Sequence, residues 1–98
     1  MIQNIELYEK INKVIDLLNK LVKQDPDKVY VKLLNIYMDA KVKMDSGDNT
    51  SNIARLILFT TRRFEEAPPA DYDTGFAILN AISQAEKIAN NLWLPGKN

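Results

Sequence analysis

The sequence contains no histidine and no cysteine among its 98 residues, and these two absences remove much of side-chain chemistry at once. Without imidazole or thiol the chain cannot build a Ser-His or Cys-His nucleophile, a zinc site of the usual kind, or a phosphohistidine relay. A disulfide framework is excluded too, which points away from a small secreted scaffold and toward the cytoplasm. An excess of charge is also missing, since 13 Lys and Arg balance 13 Asp and Glu. A net basic face of the kind that binds phosphate backbones is therefore not expected, and neither is a nucleic-acid partner. Long apolar runs are absent as well. The longest wholly aliphatic and aromatic run is Leu56-Ile57-Leu58-Phe59, far short of the roughly 20 residues that span a bilayer. Glu6, Glu9 and Lys10 interrupt the N-terminal region before it reaches signal-peptide length. The expectation is a cytoplasmic protein, peripheral to a membrane at most.

What is present is helical periodicity, punctuated by three turn signals. In the first segment Leu7, Val14 and Leu21 are seven apart, as are Ile11 and Leu18. Tyr8, Ile15 and Val22 widen that stripe to the apolar face of a bundle helix. Asp25-Pro26 closes the segment. Asp25 is expected to cap the second helix, with Pro26 at its first position, where a missing N–H costs nothing. Tyr30, Leu33, Tyr37, Ala40 and Met44 then recur at helical spacing, with Val29, Leu34, Ile36 and Met38 alongside, so this helix should touch two neighbours. Asp45 to Asn49 is the strongest loop, and Gly47 supplies a left-handed stop. Its aspartates lack the ligand alternation and terminal Glu of a calcium loop.

The third helix should start on a Thr50 or Ser51 cap and carry Ile53, Leu56, Ile57, Thr60 and Phe64 on one face until Pro68 and Pro69 end it. The fourth should open on Asp71 or Asp73, whose carboxylates suit the positive helix N-terminus. Its stripe is Gly75, Ile78, Ile82, Ala85, Ala89 and Leu92, flanked by Phe76, Leu79 and Ile88, and small residues make one side thin. Pro95 and Gly96 prevent continuation. The reading is an all-α protein, one antiparallel up-down-up-down four-helix bundle spanning 1–98, with helices near 3–24, 26–44, 51–65 and 72–93 and a tail at 94–98.

Candidate working residues are few. Residues 1–54 hold eight lysines and no arginine, whereas Arg55, Arg62 and Arg63 all fall in the third helix. On one continuous helix Arg55 and Arg62, seven apart, would share a face. That basic strip is either a solvated helix surface or a contact for an anionic partner. Thr50 to Phe64 holds no acid, and Glu65 to Asp73 holds four acids and no base. Trp93, with Leu92, Leu94 and Pro95, is open to two readings: a lid over the end of the core, or an interface anchor, with Lys87 and Lys97 supporting the contact. The four tyrosines beside the apolar stripes suit core positions with hydroxyls at the edge. The Glu65/Glu66 and Asp71/Asp73 pairs suit connectors and caps better than acid–base work. A helical enzyme of the chorismate mutase type needs an arginine early in its first helix, and none is there.

The lysine-rich first helix from Lys10 to Lys23, the Leu-Leu-Asn-Ile-Tyr run from Leu33 to Tyr37 and the polar loop from Asp45 to Asn49 form part of a larger pattern. The Phe-Thr-Thr-Arg-Arg-Phe stretch from Phe59 to Phe64, and Ala-Ile-Ser-Gln-Ala from Ala81 to Ala85 leading to an aromatic-bearing tail, complete it. Taken over its whole length the chain resembles the immunity proteins of pediocin-like (class IIa) bacteriocins, which are cytosolic antiparallel four-helix bundles. The resemblance implies a binding protein, without cofactor, metal ion or catalytic residue, that protects a bacteriocin producer from its own peptide. It further implies recognition, at the cytosolic side, of a mannose phosphotransferase permease already engaged by bacteriocin. In that family the C-terminal half governs which bacteriocin is countered. Carried to this sequence, that points to the exposed sides of the third and fourth helices and to Trp93, Leu94 and Lys97. The other reading open at this stage is an antitoxin-like or regulatory helical adaptor for a soluble protein. The oligomeric state stays open, with a monomer the simpler expectation.

Overall fold

A side-chain oxygen of Asn4 accepts a hydrogen bond from the Leu7 N–H at 2.8 Å and starts the first helix, α1, over Ile5–Gln24. The structure is a computed structural model that describes residues 4–93. Leu7, Ile11, Val14, Ile15, Leu18 and Leu21 are buried along one stripe of α1, as their spacing predicts.

The first correction comes at the next turn. Asp25 does not cap the second helix: it ends the first, in extended geometry, with its N–H donating to the Leu21 carbonyl at 2.8 Å. Pro26 disfavours a helical backbone at the residue before it, so the chain stays extended and α2 begins later, over Lys28–Asp45. Asp27 is its cap, accepting from the Val29 N–H at 2.8 Å. Tyr30, Leu33, Leu34, Tyr37, Ala40 and Met44 are all buried, whereas Met38 is exposed. At the far end Gly47 takes φ 76°. Its N–H donates to the Met44 carbonyl and that of Asp48 to the Lys43 carbonyl, both at 3.0 Å, which closes the last turn of α2 on its own carbonyls.

The third helix begins on a different cap and breaks in the middle. Asn49, one residue before the expected Thr50 or Ser51, accepts from the Ser51 and Asn52 amides. It starts α3 over Thr50–Ile57. Leu58 is extended and Phe59 is left-handed at φ 67°, and a second short helix, α4, then runs over Thr60–Glu65. The expected single helix at 51–65 is thus two segments. Asp71 does cap the last helix, α5 (Tyr72–Trp93), accepting from the Thr74 amide at 3.0 Å. Ile78, Ala81, Ile82, Ala85 and Ala89 are buried on α5, while the two ends of the expected stripe fall outside the core: Gly75 is half-buried and Leu92 is exposed.

Helix α1 packs on α2 and α5, and α3 and α4 each pack on α2 and α5. The helices close on one buried cluster that draws side chains from every segment. The described residues are all helix and connection, with no strand. A Cα radius of gyration of 13.1 Å equals the roughly 13 Å of a compact chain of 100 residues. The small buried face of α5, with alanines at 81, 85 and 89, is what lets one helix lie close to α1 and α3 together.

Candidate interaction surface

The break between α3 and α4 sets where the candidate residues lie. Interrupting a helix orphans the last carbonyls of one segment and the first amides of the next. One group on each side of the break is answered by a side chain. The Thr60 hydroxyl donates to the Ile57 carbonyl at 2.7 Å. Its single proton being so used, the buried Tyr37 hydroxyl of α2 is the donor in the 2.8 Å bond to Thr60 Oγ1. Phe59 supplies no side-chain cap to α4. The Thr61 amide donates instead to Glu86 Oε1 of α5 at 2.9 Å. Side chains from both neighbouring helices therefore hold the break.

At the same place Phe59 is 68% exposed. A non-glycine residue in the left-handed region costs on the order of 1–2 kcal/mol, and this one turns an aromatic ring toward solvent rather than into the core. Phe59, Arg62, Arg63 and Glu66 line one shallow depression. Arg63 and Glu66 also line the adjoining one with Val29, Lys32 and Leu33 of α2. The basic surface thus extends from α4 to α2 and has an exposed ring at its edge.

Arg55 lies elsewhere. The shared face inferred for Arg55 and Arg62 presumes an unbroken helix, and the extended and left-handed residues between them remove that register. Arg55 instead places its guanidinium over the Trp93 indole, 5.1 Å from the ring centroid. Trp93 is half-buried and packs on the core cluster. One side completes the end of the core, as the lid reading expects, and the ring carries a cation from α3. Such a contact contributes about 0.5–1 kcal/mol at an exposed site. Lys87 is exposed on α5. Leu94 and Lys97 lie outside the described residues.

Three of the four tyrosine hydroxyls, those of Tyr8, Tyr30 and Tyr37, are structural. Tyr30 donates to the Ala67 carbonyl and so ties the connector to α2, and its ring meets Phe64 at 5.9 Å between centroids. Tyr8 donates to Asp45 Oδ1 at 2.7 Å, joining α1 to the end of α2. Burial pushes the Tyr37 and Tyr30 hydroxyls above the usual tyrosine range, and the hydrogen bond to Asp45 does the same for Tyr8. These shifts run away from neutral pH, opposite to what a general acid or base needs. Asp71 is held below the usual carboxylate range by its bonds from the Thr74 hydroxyl and amide, in keeping with a cap. Tyr72 departs from the expected core placement: it is exposed and stacks on Phe76.

Among the described residues no group of three or more acidic side chains is placed to hold a metal ion. No helix among them is long and apolar enough to cross a membrane. Comparison with protein-family models, with curated proteins and with solved structures finds no match.

Proposed function

We propose that this protein is an immunity protein of the pediocin-like bacteriocin type, protecting its producer by binding rather than by catalysis. It would be a cytoplasmic, monomeric, antiparallel up-down-up-down bundle that meets the inner face of a mannose phosphotransferase permease holding bacteriocin. The observation that carries the reading is the Arg55–Trp93 contact, which fixes an aromatic anchor at the end of α5 against the arginine-bearing third arm. Aromatic and arginine side chains dominate the energetics of transient interfaces. Arg55, Arg62, Arg63, Lys87, Trp93, Leu94 and Lys97 form the proposed contact set. The resemblance in sequence supplies the partner.

Expression of the chain in a sensitive, permease-bearing strain tests the proposal. Protection against at least one pediocin-like peptide is expected, and sensitivity to all of them would sink it. Removing residues 93–98 should abolish protection while the helical circular dichroism stays nearly intact. A pull-down separates the adaptor reading: permease should be recovered only with bacteriocin present, whereas an adaptor would retain a soluble partner without it.

A further inference from the structure

The connector between α4 and α5 forms a second surface, remote from Trp93 along α5 and opposite in charge to the arginine depression. Pro68 and Pro69 lie down on the first turns of α5. The close approach depends on Gly75: a Cβ there would sit 3.2 Å from Pro69 Cδ, tighter than ordinary van der Waals contact. The result is a groove of about 380 Å³ whose lining includes Glu65, Pro69, Tyr72, Gly75, Phe76 and Leu79. Its outer wall is a stacked pair, Tyr72 and Phe76, with centroids 6.3 Å apart and planes at 17°. These rings are 78% and 60% exposed. They are not core residues that happen to reach the surface: the pair stands on the solvent side of α5 and leaves an apolar slot behind it.

Charge selects the occupant. Residues 64–86 carry Glu65, Glu66, Asp71, Asp73 and Glu86 and no lysine or arginine. Glu86 is engaged at Thr61 and Asp71 at Thr74. Glu65 lines the groove itself, whereas Asp73 faces the α1 side, where it lines a separate depression with Lys20. An apolar slot, two exposed π-faces and the Glu65 carboxylate, with no cation among the lining residues, together favour a partner with an apolar anchor beside Lys or Arg. A second copy docked face to face would bring acid against acid.

We propose that the Tyr72–Phe76 groove binds a cationic amphipathic peptide segment, seating an apolar side chain between Pro69 and Phe76 and a Lys or Arg against the aromatic faces and Glu65. The proposal does not depend on the immunity reading. It is tested on the full chain by titrating ¹⁵N-labelled protein with a short amphipathic Leu/Lys peptide and with its Leu/Glu counterpart. Saturable shifts confined to Tyr72, Gly75, Phe76 and Leu79 are expected with the Lys peptide only. Phe76→Ala should weaken binding about tenfold or more, as loss of an interface anchor does. Glu65→Gln should weaken it several-fold and flatten its dependence on salt. Both side chains face solvent, so unchanged circular dichroism confirms that the variants are folded. Equal binding of the Glu peptide, or shifts centred on another face, overturns the proposal. So does movement of the groove resonances with protein concentration alone, which would assign the slot to a second copy.

Discussion

Helices α1 and α2 start and stop on their own residues: Asn4 and Asp27 cap their first amides, and Asp25 and Gly47 close their last turns. Helix α4 has no such local supply. It opens on Phe59, which caps nothing; its Thr61 amide is met by Glu86 from α5, and its Thr60 hydroxyl, which answers the Ile57 carbonyl, is held by Tyr37 from α2. Asn49 and Asp71 likewise start α3 and α5 from within the sequence, so α4 is the one described segment whose start is specified by a neighbour in space. The exposed aromatics Phe59, Tyr72 and Phe76 all belong to the half of the chain that contains it, as do the three arginines. The irregular half is thus the one that offers binding chemistry, while the regular half supplies much of the core on which it rests.

The largest effect expected from breaking this contrast is at Thr60. Replacing it with the near-isosteric valine leaves the Tyr37 hydroxyl and the Ile57 carbonyl without their shared partner in a buried site. Each unsatisfied group costs about 1–3 kcal/mol, so Thr60→Val should lower stability by about 2–4 kcal/mol in urea denaturation. Thr61→Val, at the next and half-exposed position, should change it by about 0.5 kcal/mol, in the range of ordinary surface substitutions. Equal losses at the two threonines would show that the break is not a point of tertiary dependence.

This dependence also explains what could be read in the sequence. The stripes of α1 and α2 emerge intact because each buried position follows from 3.6-residue spacing, and burial of Tyr30, Tyr37 and Met44 follows from the same count. Cap positions shift by one or two residues because Asp25 and Asp27, or Asn49 and Thr50, offer nearly equivalent side chains, and the backbone before Pro26 decides between the first two. The break in the third arm had a signal that periodicity does not weigh. Leu56 to Phe59 are four consecutive apolar residues, which at 100° per residue encircle a helix and could not all face one core. The chain resolves the excess by leaving the helix at Leu58 and turning Phe59 out. Glu86 had no comparable signal, because its partner is a backbone amide 25 residues away. Arg55 and Arg62 illustrate the same limit: their spacing promised a shared face, and two non-helical residues between them cancelled it.

A smaller effect is expected at Glu86. Its carboxylate acts as an N-cap from another helix, and loss of a cap costs about 1 kcal/mol. Glu86→Ala should therefore destabilise by about that amount and accelerate hydrogen exchange at Thr61 ahead of the amides of α1 and α2. Glu86→Gln keeps an acceptor and should recover more than half of the loss. Unchanged exchange at Thr61 in the alanine variant would mean that α4 is held by packing of Phe64 and Tyr30 alone.

The smallest effect has the opposite sign. Phe59 bears left-handed strain of about 1–2 kcal/mol, and its exposed ring gives up little burial when removed. Glycine relieves that strain but makes the unfolded chain more flexible, which offsets it by about 0.4–1 kcal/mol. Phe59→Gly should therefore stabilise the protein by about 0.5–1 kcal/mol, whereas Phe59→Ala keeps the strained backbone and should give no gain. An equal gain from alanine would assign the effect to the ring rather than to the backbone. A stabilising Phe59→Gly substitution that also weakens protection in the sensitive strain would show what the strain maintains: an aromatic side chain held out beside Arg62 and Arg63, at a position where stability alone favours glycine.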